Sequence, residues 1–244
     1  GSDVNPLHTD NFEEVSFGPI LYGAKKLGMH IHTRYEVSNN AGQDICDIVN
    51  NEGFDFLLVG SGISMSDSPD DIAATRYRTS FYNRYFKRFK APESWFYPGA
   101  LLKDKTKMFI ARSNCDVGVF INRNFVKATN TLVVISSEED LFLLDYTRTL
   151  LKATHGSVGI VAKMSTTTPG HDQILKELWD FVSSTPQTQL LPDKDLTPGL
   201  FNSYNFMLIG YNTWNDVSEH RKEALQKMPS TLILNKNKRS SSDN

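Results

Sequence analysis

The chain has 244 residues, of which 39% are hydrophobic and 22% charged, and its net charge is -2. These values are typical of a globular protein with a buried core, and they exclude a strongly basic chain that attracts nucleic acid through its overall field. No stretch approaches the roughly 18 apolar residues of a membrane span, so we expect this chain by itself to be water-soluble.

The first half predicts helices and strands on both sides of a long insert. Residues 10–27 have helical character interrupted at Gly18-Pro19, and residues 29–37 alternate between apolar and polar side chains as a strand does. The further predicted elements are a helix over 42–51, a strand over 54–60, the insert over 61–98, a helix over 101–112 and a strand over 116–121.

The second half is a regular alternation of strands and helices. Residues 131–135 form an apolar, β-branched strand, and the hydroxyls of Ser136 and Ser137 with the acids that follow suit a helix N-terminus. The remaining predicted elements are helix 141–151, strand 156–162, helix 172–183, strand 205–210, helix 217–227, strand 230–234 and a disordered tail over 236–244. This order predicts an α/β fold with a parallel sheet covered on both faces.

Two strand segments of the chain are alike. Residues 54–60 read F-D-F-L-L-V-G and residues 204–210 read Y-N-F-M-L-I-G. Each is an apolar run that ends in glycine, so we interpret the pair as a weak internal repeat of one α/β half.

Four motifs in the same order resemble those of the carboxy-terminal cytosolic region of the cation/proton antiporter-2 family. They are G-Q-D-I-C-D-I-V-N over 42–50, the strand over 54–60, N-C-D-V-G-V-F-I-N-R over 114–123 and the turn S-S-E-E-D over 136–140. The segment N-P-L at 5–7 also matches a helix start of that family, and the long insert is similar to that of fungal potassium/proton antiporters. The resemblance spans 5–235.

The resemblance implies two universal-stress-protein-like, Rossmann-like halves in tandem, each with strand order 3-2-1-4-5. The first half would cover 3–123 and contain the insert, and the second would cover 124–235. Only 28 residues precede the strand predicted at 29, so either the first half is truncated or its first elements lie outside this chain. We expect the last strands of the two halves, 117–121 and 231–234, to pair and join the sheets.

The resemblance also implies a function and a location. The chain would be the cytosolic regulatory domain of a potassium(sodium)/proton antiporter, at the cytosolic face of a Golgi or endosomal membrane. Its partner would be the transmembrane exchanger portion of the same protein; a homodimer stays open, and no nucleic-acid partner or enzymatic activity is expected. The alternatives are a free-standing universal-stress-type protein that binds an adenine nucleotide, and an interaction scaffold without a ligand.

A candidate small-ligand crevice lies at the carboxyl ends of the strands, where open α/β sheets bind ligands. Phosphates need glycines and free backbone amides, and neither half has a glycine-rich turn after its fourth strand. We therefore expect no cofactor and no ATP binding tighter than about millimolar, while a weak nucleotide contact stays open. The residues that would line the crevice are Gly60, Ser61 and Gly62 in the first half, and Ser136, Ser137, Gly210 and Tyr211 in the second.

Histidine and cysteine residues suggest no strong chemical site. His30 and His32 have a spacing compatible with zinc, but no third ligand is evident, and we interpret them as hydrogen-bonded or solvated. Cys46 and Cys115 are too few for a disulfide scaffold and have no metal-ligand spacing or activating base. We predict that both cysteines are buried in the core of a protein from a reducing compartment.

The segment 76–90 combines basic and aromatic residues without an acid. Aromatic side chains at i and i+4, such as Phe81 and Tyr85, predict an amphipathic helix. Three interpretations stay open: packing of the aromatic face on the domain, contact with anionic lipid or the transporter, and nucleic-acid stacking, which the acidic chain disfavours. The basic residues assigned to the membrane or transporter contact are Arg76, Arg78, Arg84, Lys87, Arg88 and Lys90.

Overall fold

The computed structural model describes residues 17–18, 21–26, 28–34, 38–60, 105–163, 170–192, 196–220 and 227–237. They belong to two compact units, residues 1–39 and residues 40–244. The domain boundary expected between 123 and 124 falls within the second unit and stays a prediction. Within the described ranges, no helix combines the length and the apolar composition that crossing a membrane requires.

In the first unit, residues 17–18 and 21–26 are helical. The chain then turns at Gly28, which has a left-handed φ of 67°, and the Met29 amide donates to the Ala24 carbonyl at 2.9 Å. The strand predicted over 29–37 is wrong for the residues described, since 29–34 form no strand. An alternating pattern becomes a strand only where a neighbour offers ladder hydrogen bonds, and Met29 is instead 58% exposed.

The second unit opens with helix α1, Ala41–Glu52. The Asn40 side chain accepts a hydrogen bond from the Gln43 amide at its start, and Gly53, with a φ of 69°, ends it. β1 (Phe56–Gly60), α2 (Lys105–Arg112) and β2 (Asp116–Ile121) follow. They confirm the predicted strands, and α2 confirms the described part of the helix predicted over 101–112.

The remainder of this unit carries five strands and their connecting helices. They are β3 (Asn130–Ile135), a 3-10 turn (Glu138–Asp140), α3 (Leu143–Thr154), β4 (Ser157–Ala162), α4 (His171–Ser184), β5 (Thr188–Pro192), α5 (Pro198–Phe201), β6 (Phe206–Gly210), α6 (Tyr211–His220) and β7 (Ser230–Asn235).

Three of these elements differ from the sequence prediction. The sequence does not predict β5 or the short α5. β5 lies at one edge of the described sheet and ends in proline, a residue that a sheet accepts at such an edge. α6 begins at Tyr211 and not at 217. The segment after Gly210 has weak helix propensity, but burial of Thr213 and Trp214 at 3% and 0% exposure decides its conformation.

The strands form one seven-stranded sheet in the order β1-β2-β7-β6-β3-β4-β5. From β3 to β7 this is the predicted order 3-2-1-4-5. The expected pairing of β2 with β7 is confirmed and is antiparallel, with Val119 opposite Ile233. The strands on either side of the β2–β7 pair have matching registers. The first residue of β1, Phe56, lies opposite Asp116, the first of β2, and the first residue of β6, Phe206, lies opposite Ser230, the first of β7.

Helices bury both faces of this sheet, as predicted. On one face, Trp214 and Val217 of α6 pack into a cluster with residues of β2, β3, β6 and β7. On the other, Leu143 of α3 and Leu178 of α4 pack against β3, β4 and β6. A smaller cluster joins α1, α2 and β2 through Cys46, Phe109 and Val117.

Candidate functional site

The carboxyl ends of β3 and β6 lie side by side, and the chain leaves them in opposite directions, from β3 to β4 and from β6 to β7. Open α/β sheets form their ligand crevices at such a switch point. Four predicted crevice residues meet here. Ser136 and Ser137 follow β3, Gly210 ends β6 and Tyr211 begins α6.

The side chain of Asp140, which is 2% exposed, occupies this crevice. Its Oδ2 accepts hydrogen bonds from the Ser136 amide at 2.8 Å, the Ser137 amide at 3.2 Å and the Thr213 hydroxyl at 2.6 Å. The Ser136 hydroxyl also donates to it at 3.2 Å and contacts the Thr213 hydroxyl. A buried carboxylate requires such donors, and because they are the groups that an external anion would use, the carboxylate takes the place of that anion.

Gly210 makes room for the carboxylate. A Cβ atom on Gly210 would overlap Asp140 Oδ1 and would lie 3.1 Å from its Cγ. The glycine that ends β6 therefore serves close packing inside the protein, whereas the glycines of a phosphate-binding turn serve the approach of a ligand.

α6 starts directly after β6, and its first turn is tied to the turn after β3. Asn212 Nδ2 donates to Glu139 Oε2 at 2.7 Å, one residue before the Thr213 contact with Asp140. β6 continues directly into this helix, with no glycine-rich loop between Gly210 and Tyr211.

An acidic groove of about 750 Å³ opens beside the crevice, along α3, α4 and the ends of β6 and β7. Its six carboxylates outnumber its two cations, which opposes the binding of a polyphosphate. One of the cations, Arg148, is engaged, since it donates to Asp145 at 2.9 Å and lies 4.9 Å from the ring centre of Phe181. The charged lining residues are Glu138, Glu139, Asp140, Asp145, Arg148, Glu177, Asp180 and Lys236.

The crevice predicted in the first half is described only in part. Gly60 ends β1 and is exposed, and no described atom lies within 4 Å of a Cβ atom placed on it. Ser61 and Gly62 lie outside the described residues. So do the basic residues assigned to the membrane or transporter contact, Arg76, Arg78, Arg84, Lys87, Arg88 and Lys90.

The rings of His30 and His32, in the first unit, stack with centroids 5.1 Å apart. In the part of the chain that the structure describes, no three His, Cys, Asp or Glu side chains are grouped so as to hold a metal ion. Cys46 and Cys115 are 1% and 4% exposed, which confirms their predicted core positions. Burial is the main cause that raises the pKa of each thiol, so both stay protonated and weakly nucleophilic at neutral pH.

A second polar cluster, formed by Ser113, Asp116, Tyr146 and Asn237, connects the end of β7 with β2 and α3. The Tyr146 hydroxyl donates to Asp116 Oδ2 at 2.8 Å. The backbone N–H of Asn237 donates to Asp116 Oδ1, also at 2.8 Å. Asn237 Nδ2 donates to the Ser113 carbonyl at 2.7 Å. Burial, followed by the hydrogen bond to Asp116 and its charge, raises the pKa of the Tyr146 phenol.

The prediction of the crevice missed its two central residues, Asp140 and Thr213. The only sequence signal for Asp140 is the S-S-E-E-D turn, whose residues predict a helix start. Thr213 lies 73 residues further along the chain, in a segment interpreted as a connection. Their contact depends on the adjacency of β3 and β6, which local periodicity does not contain.

No protein-family model matches the chain, and neither does any curated protein. Among solved structures it is similar to a universal stress protein from Archaeoglobus fulgidus, with 11% sequence identity, a TM-score of 0.50, and coverage of 96% of this chain and 80% of that chain. It is also similar to a protein from Pseudomonas aeruginosa that was assigned as a universal stress protein, with 10% identity, a TM-score of 0.48, and coverage of 92% and 79%. The first similarity, at this identity, shows the fold alone. The chain has a universal-stress-protein-like α/β fold.

Proposed function

We propose that this chain is a regulatory domain that modulates the exchange of potassium or sodium for protons by an antiporter in a Golgi or endosomal membrane. The domain would lie on the cytosolic side and would have a coupling role, without catalysis of its own. A signal that biases the domain between two arrangements would be transmitted by contact with the membrane-spanning exchanger portion of the same protein.

The observation that carries the proposal is how the resemblance motifs assemble. The motifs over 42–50, 54–60 and 114–123 fall on α1, β1 and β2, and they form one packed unit. Asn50 Nδ2 donates to the Arg112 carbonyl at 2.8 Å, and Asn50 Oδ1 accepts from the Asn114 amide at 2.7 Å, across 62 and 64 residues of chain. The segments that resemble exchanger tails thus act as one structural element.

The alternative function, a free-standing stress-type protein that binds an adenine nucleotide, is favoured by the fold similarity and by the position of the crevice. Two features oppose it. The Asp140 carboxylate occupies the anion position between β3 and β6, and the groove beside it carries six carboxylates. Both features repel a triphosphate and therefore weaken the case for nucleotide binding.

The proposal is tested in the complete protein. The coding sequence upstream of this chain should encode several apolar, membrane-spanning segments. Membrane vesicles that contain this protein should show potassium-dependent proton movement, measured with a pH-sensitive dye, and removal of residues 40–237 should change its rate. A control is a Lys152→Gln variant, which changes one exposed side chain of the same domain. Exchange at the same rate with and without residues 40–237 would contradict regulation.

Calorimetry with ATP distinguishes the exchanger proposal from the alternative, a nucleotide-binding stress-type protein. The exchanger proposal expects affinity no tighter than about millimolar, equivalent to about 4 kcal/mol. Low-micromolar affinity, lost in a variant that places a bulkier residue at Gly210, would favour the stress-type nucleotide protein.

A further inference from the structure

We infer that β1 is an interior strand in the functional assembly, and that the edge of β1 that no described strand covers binds a partner segment. This segment consists of a parallel apolar strand followed by an amphipathic helix, of the kind that β3 and α3 form. This inference does not depend on the exchanger proposal.

The first observation is the equivalence of β1 and β6. The repeat places residues 54–60 and 204–210 at a constant offset of 150 (204 minus 54), and the structure places both segments on strands. Each has a parallel neighbour in matching register, with Phe56 opposite Asp116 and Phe206 opposite Ser230. β6 also pairs on its other side with β3, whereas β1 has β2 as its only partner among the described strands.

The second observation is exposure. Leu208 of β6 is 2% exposed, in the cluster that α3 and α4 form over the sheet. Leu58, its equivalent in β1, is 58% exposed. Sheet edges usually carry charge, proline or a bulge, but the residues F-L-L-V over 56–59 are apolar on both faces, as in an interior strand. Among the described residues, β1 therefore has the composition of β6 without the strand and helix that cover β6.

The third observation is the pair of glycines that end these strands. At Gly210 the space of a Cβ atom is filled by the Asp140 carboxylate, which belongs to the turn between β3 and α3. At Gly60 no described atom lies within 4 Å of that space. The space at Gly60, which no described residue fills, thus predicts the turn of the partner segment: hydroxyl and carboxylate side chains directly after the strand.

The chemistry of the partner follows from these three observations. Its strand should have about five β-branched apolar residues, continuing the sheet by parallel hydrogen bonds. Its helix should place apolar side chains on Leu58. A second copy of this chain fits less well, because two-fold symmetry would pair β1 with β1 in antiparallel orientation and would bring no turn to Gly60.

A synthetic peptide of residues 129–154, which contains β3 and α3, serves as the probe. Hydrogen exchange of residues 56–60 is measured with and without the peptide. We expect the edge amides of β1 to exchange about tenfold more slowly with it, since each gains a hydrogen bond. The control peptide carries Val133→Pro, which removes a ladder donor, and should give no protection.

A chain variant tests whether Leu58 belongs to the surface. Leu58→Lys should abolish protection by the peptide and leave the unfolding midpoint unchanged, because this side chain is already exposed. Unchanged exchange of 56–60 at millimolar peptide overturns the inference. Protection confined to β4 and β6 also overturns it, because the peptide would then replace β3 by strand exchange. Protection of 56–60 in a dimer of this chain, without peptide, overturns it as well.

Discussion

Val119 of β2 lies directly opposite Ile233 of β7, and each is the fourth residue of its strand. The pair stands at the centre of the only antiparallel contact among the described strands. On both sides of it the registers correspond, so that Ile121 lies opposite Thr231 and Val117 opposite Asn235. This contact joins the five-stranded arrangement from β3 to β7 to the strands β1 and β2.

The β2–β7 contact should be energetically coupled across this pair. Val119 and Ile233 are 2% and 1% exposed, so Val119→Ala and Ile233→Ala should each lower the free energy of unfolding by about 2–4 kcal/mol. A double-mutant cycle by urea denaturation should show coupling of about 0.5–1 kcal/mol. Combining Val119→Ala with Leu178→Ala, on the opposite face, should be additive. Additivity in both cycles would contradict a direct contact.

Asp140 should contribute to stability as an internal ligand. Asp140→Ala removes the acceptor of four donors and should lower the free energy of unfolding by about 3 kcal/mol. Because the donors remain in place, sodium formate should restore part of the thermal stability, and sodium chloride at equal ionic strength should not. Glu138→Ala, which alters an exposed neighbour, is the control. Equal effects of the two salts would show that the crevice collapses.

The two glycines that end β6 and β1 should respond differently to the same substitution. Gly210→Ala places a methyl group against the Asp140 carboxylate and should lower the free energy of unfolding by about 2–3 kcal/mol. Gly60→Ala meets no described atom within 4 Å and should cost less than about 0.5 kcal/mol. In an Asp140→Ala background the cost of Gly210→Ala should fall. A similar cost at both glycines would argue against the contact between Gly210 and Asp140.

Tyr146 should make stability depend on pH in the alkaline range. Its pKa is raised above the ordinary value of 10.0, so the folded state keeps the proton while the unfolded state releases it. The stabilisation is therefore complete below pH 10 and is lost as pH rises through the pKa of the folded state. Tyr146→Phe should cost about 1 kcal/mol at pH 7 through the hydrogen bond to Asp116, and this difference should shrink above pH 10. A difference that stays constant up to pH 11 would mean that burial and the Asp116 carboxylate do not raise the pKa of the phenol.

The basic segment 76–90 should bind anionic membranes if it contacts the membrane or the transporter. Each cation near an anionic surface contributes about 1 kcal/mol, so replacing Arg84, Lys87, Arg88 and Lys90 with glutamine should weaken liposome association well over tenfold. Replacing Lys127, Lys152, Lys176 and Lys227 makes the same charge change at exposed positions elsewhere and should have little effect. Equal weakening by both sets would mean that total charge, and not this segment, governs association. No association at low salt would favour packing of the segment on the domain.

The pairing of β2 with β7 is an expectation from the family resemblance. Local patterns in the sequence predict the α/β class, most strands and helices, and the buried cysteines. These features depend on periodicity and apolar composition within a few residues of each other, and both are visible along the chain. Only the tertiary structure decided that 29–34 form no strand, that β5 exists, that α6 starts at Tyr211, and that Asp140 fills the crevice. A strand needs a neighbour to accept its hydrogen bonds, and a buried carboxylate needs donors. The donor Thr213 comes from 73 residues away, and it reaches Asp140 because the sheet places β3 beside β6.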